Sequence, residues 1–261
     1  MKQYIVDAFT EAPFTGNPAA VCVMDHWPQQ KAMMKLAMEN NLSETAFVVK
    51  EGSRYRLRWF PPVTEVELCG HATLASAYVI LTQYEPDRDE VQFETISGLL
   101  TVKRQNDQYA MDFPTSPLKD IPVTDAMEEA FGIRPKRAVL GMDLICVFEK
   151  EEQIKQMQPD FNKLTKIEGR IQNATARGSH VDCVSRSFAP KLGIHEDPVC
   201  GSAHCQIASY WAQELKKKEI TAFQASKRTG TLYCHIRENG RITICGQAVL
   251  VSINEMFVDL G

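Results

Sequence analysis

The chain has no apolar run long enough to cross a bilayer. Its first residues, Met1-Lys2-Gln3-Tyr4-Ile5-Val6-Asp7-Ala8-Phe9, lack the apolar centre of a secretory signal. Cys-x-x-Cys spacing is missing too. The eight cysteines (Cys22, Cys69, Cys146, Cys183, Cys200, Cys205, Cys234 and Cys245) are scattered, mostly within apolar stretches, and read as reduced core thiols of a cytoplasmic protein. An excess of positive charge is missing: the formal net charge is −4. The one lysine cluster, Lys216-Lys217-Lys218, falls where a helix ends and cations complement its dipole, so neither nucleic acid nor membrane is an expected partner. Cys200, His204 and Cys205 do not have the spacing of a tetrahedral zinc site, and no metal is expected. What is present is ordinary for a globular protein: 261 residues, 44% hydrophobic and 24% charged, enough for a large core in one domain or two.

Along the chain, alternation predicts strands at residues 4–9, 19–24, 45–49, 55–60, 93–103 and 109–113. Helical spacing covers residues 29–40, and a small-residue helix covers 72–81. Pro114-Thr115-Ser116-Pro117 stiffens the chain and is read as the boundary between lobes at 1–116 and 117–261. Beyond it, a short helix is expected at 125–131, a buried strand at 138–148, an exposed helix at 151–157, a strand at 181–185 and a helix at 206–215.

An internal repeat organises these elements. Cys69-Gly70-His71-Ala72 precedes Ala75-Ser76-Ala77-Tyr78, Phe93, Gly98 and two strands around Asn106; Cys200-Gly201-Ser202-Ala203 precedes Ala208-Ser209-Tyr210, Phe223, Gly230 and two strands around Asn239-Gly240. The ordered series suggests two related lobes, and a cleft between such lobes is a default place for a ligand. Each copy is a turn into a helix, whose free N–H groups suit an anion.

Five motifs occur in order: Gly16-Asn17-Pro18-Ala19-Ala20-Val21, Asn41-Leu42-Ser43-Glu44-Thr45-Ala46-Phe47, Glu67-Leu68-Cys69-Gly70-His71-Ala72-Thr73, Ser185-Arg186-Ser187-Phe188-Ala189-Pro190 and Glu196-Asp197-Pro198-Val199-Cys200-Gly201-Ser202-Ala203-His204. Together they resemble the phenazine biosynthesis isomerase-like (PhzF-like) family over essentially the whole chain. The resemblance implies an α+β fold like that of diaminopimelate epimerase. Its two pseudo-symmetric lobes are each a curved, mostly antiparallel sheet wrapped around a central helix, with the active site between them. It also implies a homodimer and a cofactor-free isomerase that moves a proton between carbons of a small cyclic carboxylate. Glu44 stands at the position of the proton shuttle, with His71, Asp197 and Ser202 around it. A carboxyl group withdrawn from water titrates above its ordinary ~4.3, as such a shuttle requires.

On local reading alone, Glu44 fits a capping or pairing role, Asp197 before Pro198 fits a cap as well as a substrate contact, and Ser202 can do both. Gly70 and Gly201 permit close backbone approach to a substrate. Asn17 can line the site or simply shape the turn before Pro18. Arg186 fits a structural ion pair better than a substrate contact. A rival chemistry uses Cys69 and Cys200, which occupy the equivalent places where epimerase relatives carry a catalytic thiol pair; a helix N-terminus lowers a thiol pKa from about 8.5. Against it, His71 and Ser202 follow each Cys-Gly where the epimerases differ. A third possibility is a binding protein without turnover.

Overall fold

The computed structural model describes residues 1–258 and divides into two compact units, Met1–Asp112 together with the chain from Cys245, and Phe113–Ile244. In chain order the elements are β1 (Lys2–Ala8), β2 (Asn17–Met24), α1 (Gln30–Asn40), β3 (Glu44–Glu51), β4 (Arg54–Phe60), α2 (Gly70–Val79), β5 (Glu90–Thr95), β6 (Gly98–Gln105) and β7 (Gln108–Pro114). There follow β8 (Lys119–Ile121), α3 (Asp125–Phe131), β9 (Arg137–Leu140), β10 (Leu144–Val147), α4 (Glu151–Gln156), α5 (Phe161–Leu164), β11 (Gln172–Arg177) and β12 (Cys183–Ala189). The chain ends with β13 (Ile194–Asp197), α6 (Gly201–Leu215), β14 (Glu219–Gln224), β15 (Gly230–Ile236), β16 (Arg241–Gly246) and β17 (Ala248–Glu255). This is the α+β class expected.

Both units run through the same series of pairings. In the first, β1 pairs antiparallel with β2, β2 parallel with β3, β3 antiparallel with β4, β4 parallel with β5, and β5 antiparallel with β6. In the second, β9, β10, β11, β12, β14 and β15 repeat that alternation in order. The parallel steps have a common cause, because a parallel pair needs a crossover. The helices supply it: α1 and α2 in the first unit, α4 with α5 and then α6 in the second.

The C-terminal strand departs from the boundary read at 116. Residues from Cys245 join the first unit, because β17 pairs antiparallel with β1 from Lys2↔Glu255 to Ala8↔Ala248. Two expected strands are each a pair. Residues 93–103 break at the turn before Gly98, whose φ is +101°, and 138–148 break at Gly141-Met142-Asp143 between β9 and β10.

Packing explains the sequence patterns. In α2, Ala72, Leu74, Ala75, Ser76, Ala77 and Val79 are all fully buried, so the helix is enclosed on every side, and its small residues let the strands approach closely. Strand β3 is apolar on both faces rather than alternating, because α2 packs on one face and α1 on the other through Met33, Leu36, Ala37, Phe47 and Phe60. In the second unit, Met127, Phe131, Phe148, Ile154, Leu164 and Phe188 form the corresponding outer core under α3, α4 and α5.

Candidate functional site

The two repeated helix starts are built alike. Arg58 donates through Nε and Nη2 to both Glu65 oxygens at 2.7 Å, and its guanidinium lies 5.1 Å from the Phe60 ring centre. Arg186 forms the same fork to Glu196 at 2.7 and 2.8 Å, over Phe188 at 5.0 Å. Each glutamate lies four residues before the cysteine that opens a helix. Such a planar, bidentate pair fixes the turn that leads into the helix. Arg186 also donates to the Ile154 and Met157 carbonyls, so its role is structural. The signal was in the sequence: Arg-x-Phe followed by Glu-x-x-x-Cys-Gly occurs in both halves.

At both starts the cysteine is the N-cap, with extended backbone and no side-chain cap: φ is −141° at Cys69 and −99° at Cys200. The N-cap position is therefore held by neither Ser202 nor Asp197. Ser202 lies inside the first turn of α6, which starts at Gly201 rather than 206, and Asp197 closes β13 three residues before the cap. Gly70 and Gly201 are each the first helical residue. The N-cap carbonyls are bonded from within the helix, Cys69 by Thr73 Oγ1 at 2.6 Å and Cys200 by His204 Nδ1 at 2.7 Å.

The first unit holds Asn17, Glu44, Cys69, Gly70 and His71. Glu44 is 8% exposed, begins β3 and stands in register with Ala19 of β2. Asn17 is fully buried at the start of β2, just after Gly16, whose φ is +68°. His71 is buried, with Nδ1 3.4 Å from the Cys69 sulfur. Burial pushes its pKa down to about 3, so its ring is neutral at pH 7, with one nitrogen a donor and the other an acceptor.

The second unit holds Asp197, Cys200, Gly201 and Ser202. Gln224 ties the turn together, donating to the Asp197 carbonyl at 2.6 Å and accepting from the Cys200 N–H at 2.9 Å, while Ser226 donates to the Pro198 carbonyl. The Cys200 sulfur lies 3.5 Å from the Ser202 hydroxyl. Its thiol is held protonated, first by burial and then by the nearby Asp197 charge, which outweigh the helix terminus. Ser202 is exposed and accepts from Arg170 Nη2 at 3.1 Å. Arg170 has no local sequence signal; only the fold brings it to this helix start.

His204 Nε2 lies 3.1 Å from the Ser185 hydroxyl, so with Nδ1 on the Cys200 carbonyl both ring nitrogens are engaged inside the protein. Among the described residues, no group of three or more His, Cys, Asp or Glu side chains is arranged to hold a metal ion. No helix of the described residues is long and apolar enough to cross a membrane.

Residues 6–253 match the family model described as phenazine biosynthesis-like protein. An uncharacterized isomerase of Pseudomonas aeruginosa is 45% identical, the match covering 95% of this chain and 95% of the relative. The crystal structure of a PhzF-family phenazine biosynthesis protein from Enterococcus faecalis is 44% identical, with a TM-score of 0.96 over 98% of this chain and 99% of that one. A predicted epimerase from Pseudomonas aeruginosa, at 19% identity and a TM-score of 0.75 over 99% of both chains, shares the fold. In sequence along nearly its whole length and in fold, the chain belongs to the phenazine biosynthesis-like (PhzC-PhzF) family.

Proposed function

We propose that the protein is a cofactor-independent isomerase that moves a proton between carbons of a small, cyclic carboxylate. Glu44 is the acid/base, and His71, Asp197 and Ser202 hold the substrate. In this reaction Glu44 takes a proton from one carbon, the electron pair of that C–H bond passes into the adjacent unsaturation, and the same proton returns to another carbon. No net oxidation occurs. The observation that carries the reading is the burial of Glu44, at 8% exposed, in the unit that also carries the neutral His71. A carboxyl group shielded from bulk water keeps the abstracted proton long enough to return it, and a neutral imidazole can donate to the substrate without adding charge. Asp197 is half-buried and Ser202 exposed at the start of α6, where free N–H groups suit a carboxylate.

The two-thiol alternative loses support at Cys200, whose burial keeps the proton on sulfur, and at His71, which carries no positive charge to stabilise a Cys69 thiolate. The test is to incubate cyclic carboxylates in deuterated water and follow C–H exchange by NMR, comparing wild type with Glu44→Gln, Cys69→Ser and Cys200→Ser. Exchange is expected to vanish in Glu44→Gln and to persist in both cysteine variants. Full exchange in Glu44→Gln with loss in the cysteine variants would establish the thiol mechanism instead. Binding without exchange across the panel would make the protein a binding module.

A further inference from the structure

We propose that Arg170 receives the carboxylate of the substrate, presenting its guanidinium beside Ser202 and the first turn of α6 as one preorganised anion site. The inference rests on the reading of the protein as a carboxylate isomerase and adds the residue that selects the anionic group.

The support for Arg170 is a polar group with no exposure at all. Asp143, in the turn between β9 and β10, is 0% exposed, and its two oxygens accept four donors. These are Arg170 Nε at 3.1 Å, Arg170 Nη2 at 3.3 Å, the Ile171 N–H at 3.2 Å and Gln206 Nε2 at 2.9 Å. Gln206 belongs to α6 and is itself 2% exposed; its carbonyl oxygen accepts the Asp143 N–H at 3.2 Å. Asp143 therefore ties Arg170 directly to the helix whose first turn carries Ser202.

The backbone around Arg170 is equally constrained. Gly169 has φ +83°, and a Cβ there would lie 2.8 Å from the Leu144 Cβ, so the turn requires glycine. The Gly169 carbonyl accepts from Gln172 Nε2 at 2.8 Å and Lys191 Nζ at 2.7 Å, and the Arg170 N–H donates to the Met142 carbonyl at 3.2 Å. As a stability device the ion pair is weak, since desolvating Asp143 offsets most of the attraction. As a means of aiming a guanidinium it is effective. Nε and one edge of Nη2 face Asp143, the other Nη2 proton reaches Ser202, and Nη1 donates to no group among the described residues. The side chain is 39% exposed. The Nη1 donors are thus left over, next to an exposed hydroxyl and a helix N-terminus, where they can give a carboxylate a charge-assisted hydrogen bond.

Among the described residues, the first unit has no counterpart at the equivalent position. Thr45 is the strand partner of Phe60 and Gln172 that of Phe188, so counting back two residues sets Arg170 against Ser43. Among the described residues, of the two repeated helix starts only that of α6 is given a cation in this way.

The test separates binding from turnover by using benzoate as the anionic probe and benzamide as its neutral counterpart, followed by proton–nitrogen NMR. In wild type, benzoate is expected to shift the Arg170 Nε–H and Ser202 N–H signals, and benzamide to leave them unmoved. Arg170→Gln should weaken benzoate about tenfold or more, the effect of losing a charge-assisted hydrogen bond. Should Gln, which leaves Asp143 without its cation, unfold the segment, Arg170→Lys decides the matter. It keeps the charge but loses the fork, and a several-fold weakening is expected. Benzoate that leaves both signals unmoved, or that binds the folded Arg170 variants as tightly as wild type, would overturn the inference. The two readings fail separately: wild type that shifts with benzoate but exchanges no deuterium overturns the isomerase reading, and wild type that exchanges deuterium while benzoate leaves both signals unmoved overturns the role of Arg170.

Discussion

Acid should weaken this protein well above the range in which its carboxylates titrate, and two buried histidines are the reason. His71 is held neutral with a pKa of about 3 by burial. His204, fully buried, is pushed down to about 4 by burial, partly opposed by its bond to the Cys200 carbonyl. Unfolded, each titrates near ~6.5. Between pH 6.5 and the folded values the unfolded chain binds more protons than the native one, so the histidine contribution is fully present above pH 6.5 and is lost as pH falls. Lowering the pH from about 7 to about 5 removes roughly 2 kcal/mol per histidine, or roughly 4 kcal/mol in all. Carboxylates with depressed pKa values, such as Glu151 at about 2 through its bonds to Lys155 and Ser179, add to the loss only below about pH 4.5. Urea unfolding at pH 5, 6 and 7 measures the effect. His71→Gln and His204→Gln should each remove about half of the pH dependence, whatever they cost in absolute stability. If both variants lose stability with acid as steeply as wild type, the neutral buried histidines are not its source.

Other consequences concern the turns that lead into the site. Arg186→Ala leaves Glu196, 18% exposed, without its fork and frees two carbonyls. Chemical denaturation should show a loss of about 3–5 kcal/mol; a loss under about 1 kcal/mol, typical of surface pairs, would contradict the structural role. Gly16→Ala must hold φ +68° and place a Cβ 2.7 Å from Thr10 Cγ2, with the Ala8 carbonyl closer still, whereas Gly52, at φ +63°, has open space around it. The first should cost clearly more than the ~1 kcal/mol expected of Gly52→Ala, measured by thermal unfolding, and equal costs would show that the crowding around Gly16 is not felt.

Much of this architecture was legible before any coordinates. The helix expected at 125–131 is α3, Asp125–Phe131, and the structure shows Thr124 capping its start and Gly132 ending it, signals that are local in the chain. The repeat around Cys69-Gly70 and Cys200-Gly201 corresponds to a repeated order of strand pairings. Local pattern failed where geometry intervenes. Asp197 and Ser202 look like caps from their types, yet which residue becomes the N-cap depends on where the backbone turns helical, and that falls at Cys200. Strand β17 gave no sign that it pairs with β1, because its partner lies some 250 residues away and strand pairing carries no local signature.

By itself the sequence carried the two-fold repeat and, through ordered short motifs, the resemblance to the family, which in turn implied the fold class. It also supplied Glu44, His71, Asp197 and Ser202 as candidates. Tertiary structure alone decided which charges survive. Burial strips His71 of its charge and keeps the proton on Cys200, while four converging donors keep Asp143 in place and aim Arg170 at Ser202. Asp143, Arg170 and the start of α6 with Ser202 and Gln206 lie 27 residues or more from one another in the chain; what makes them a unit is a buried carboxylate that must be satisfied from every side.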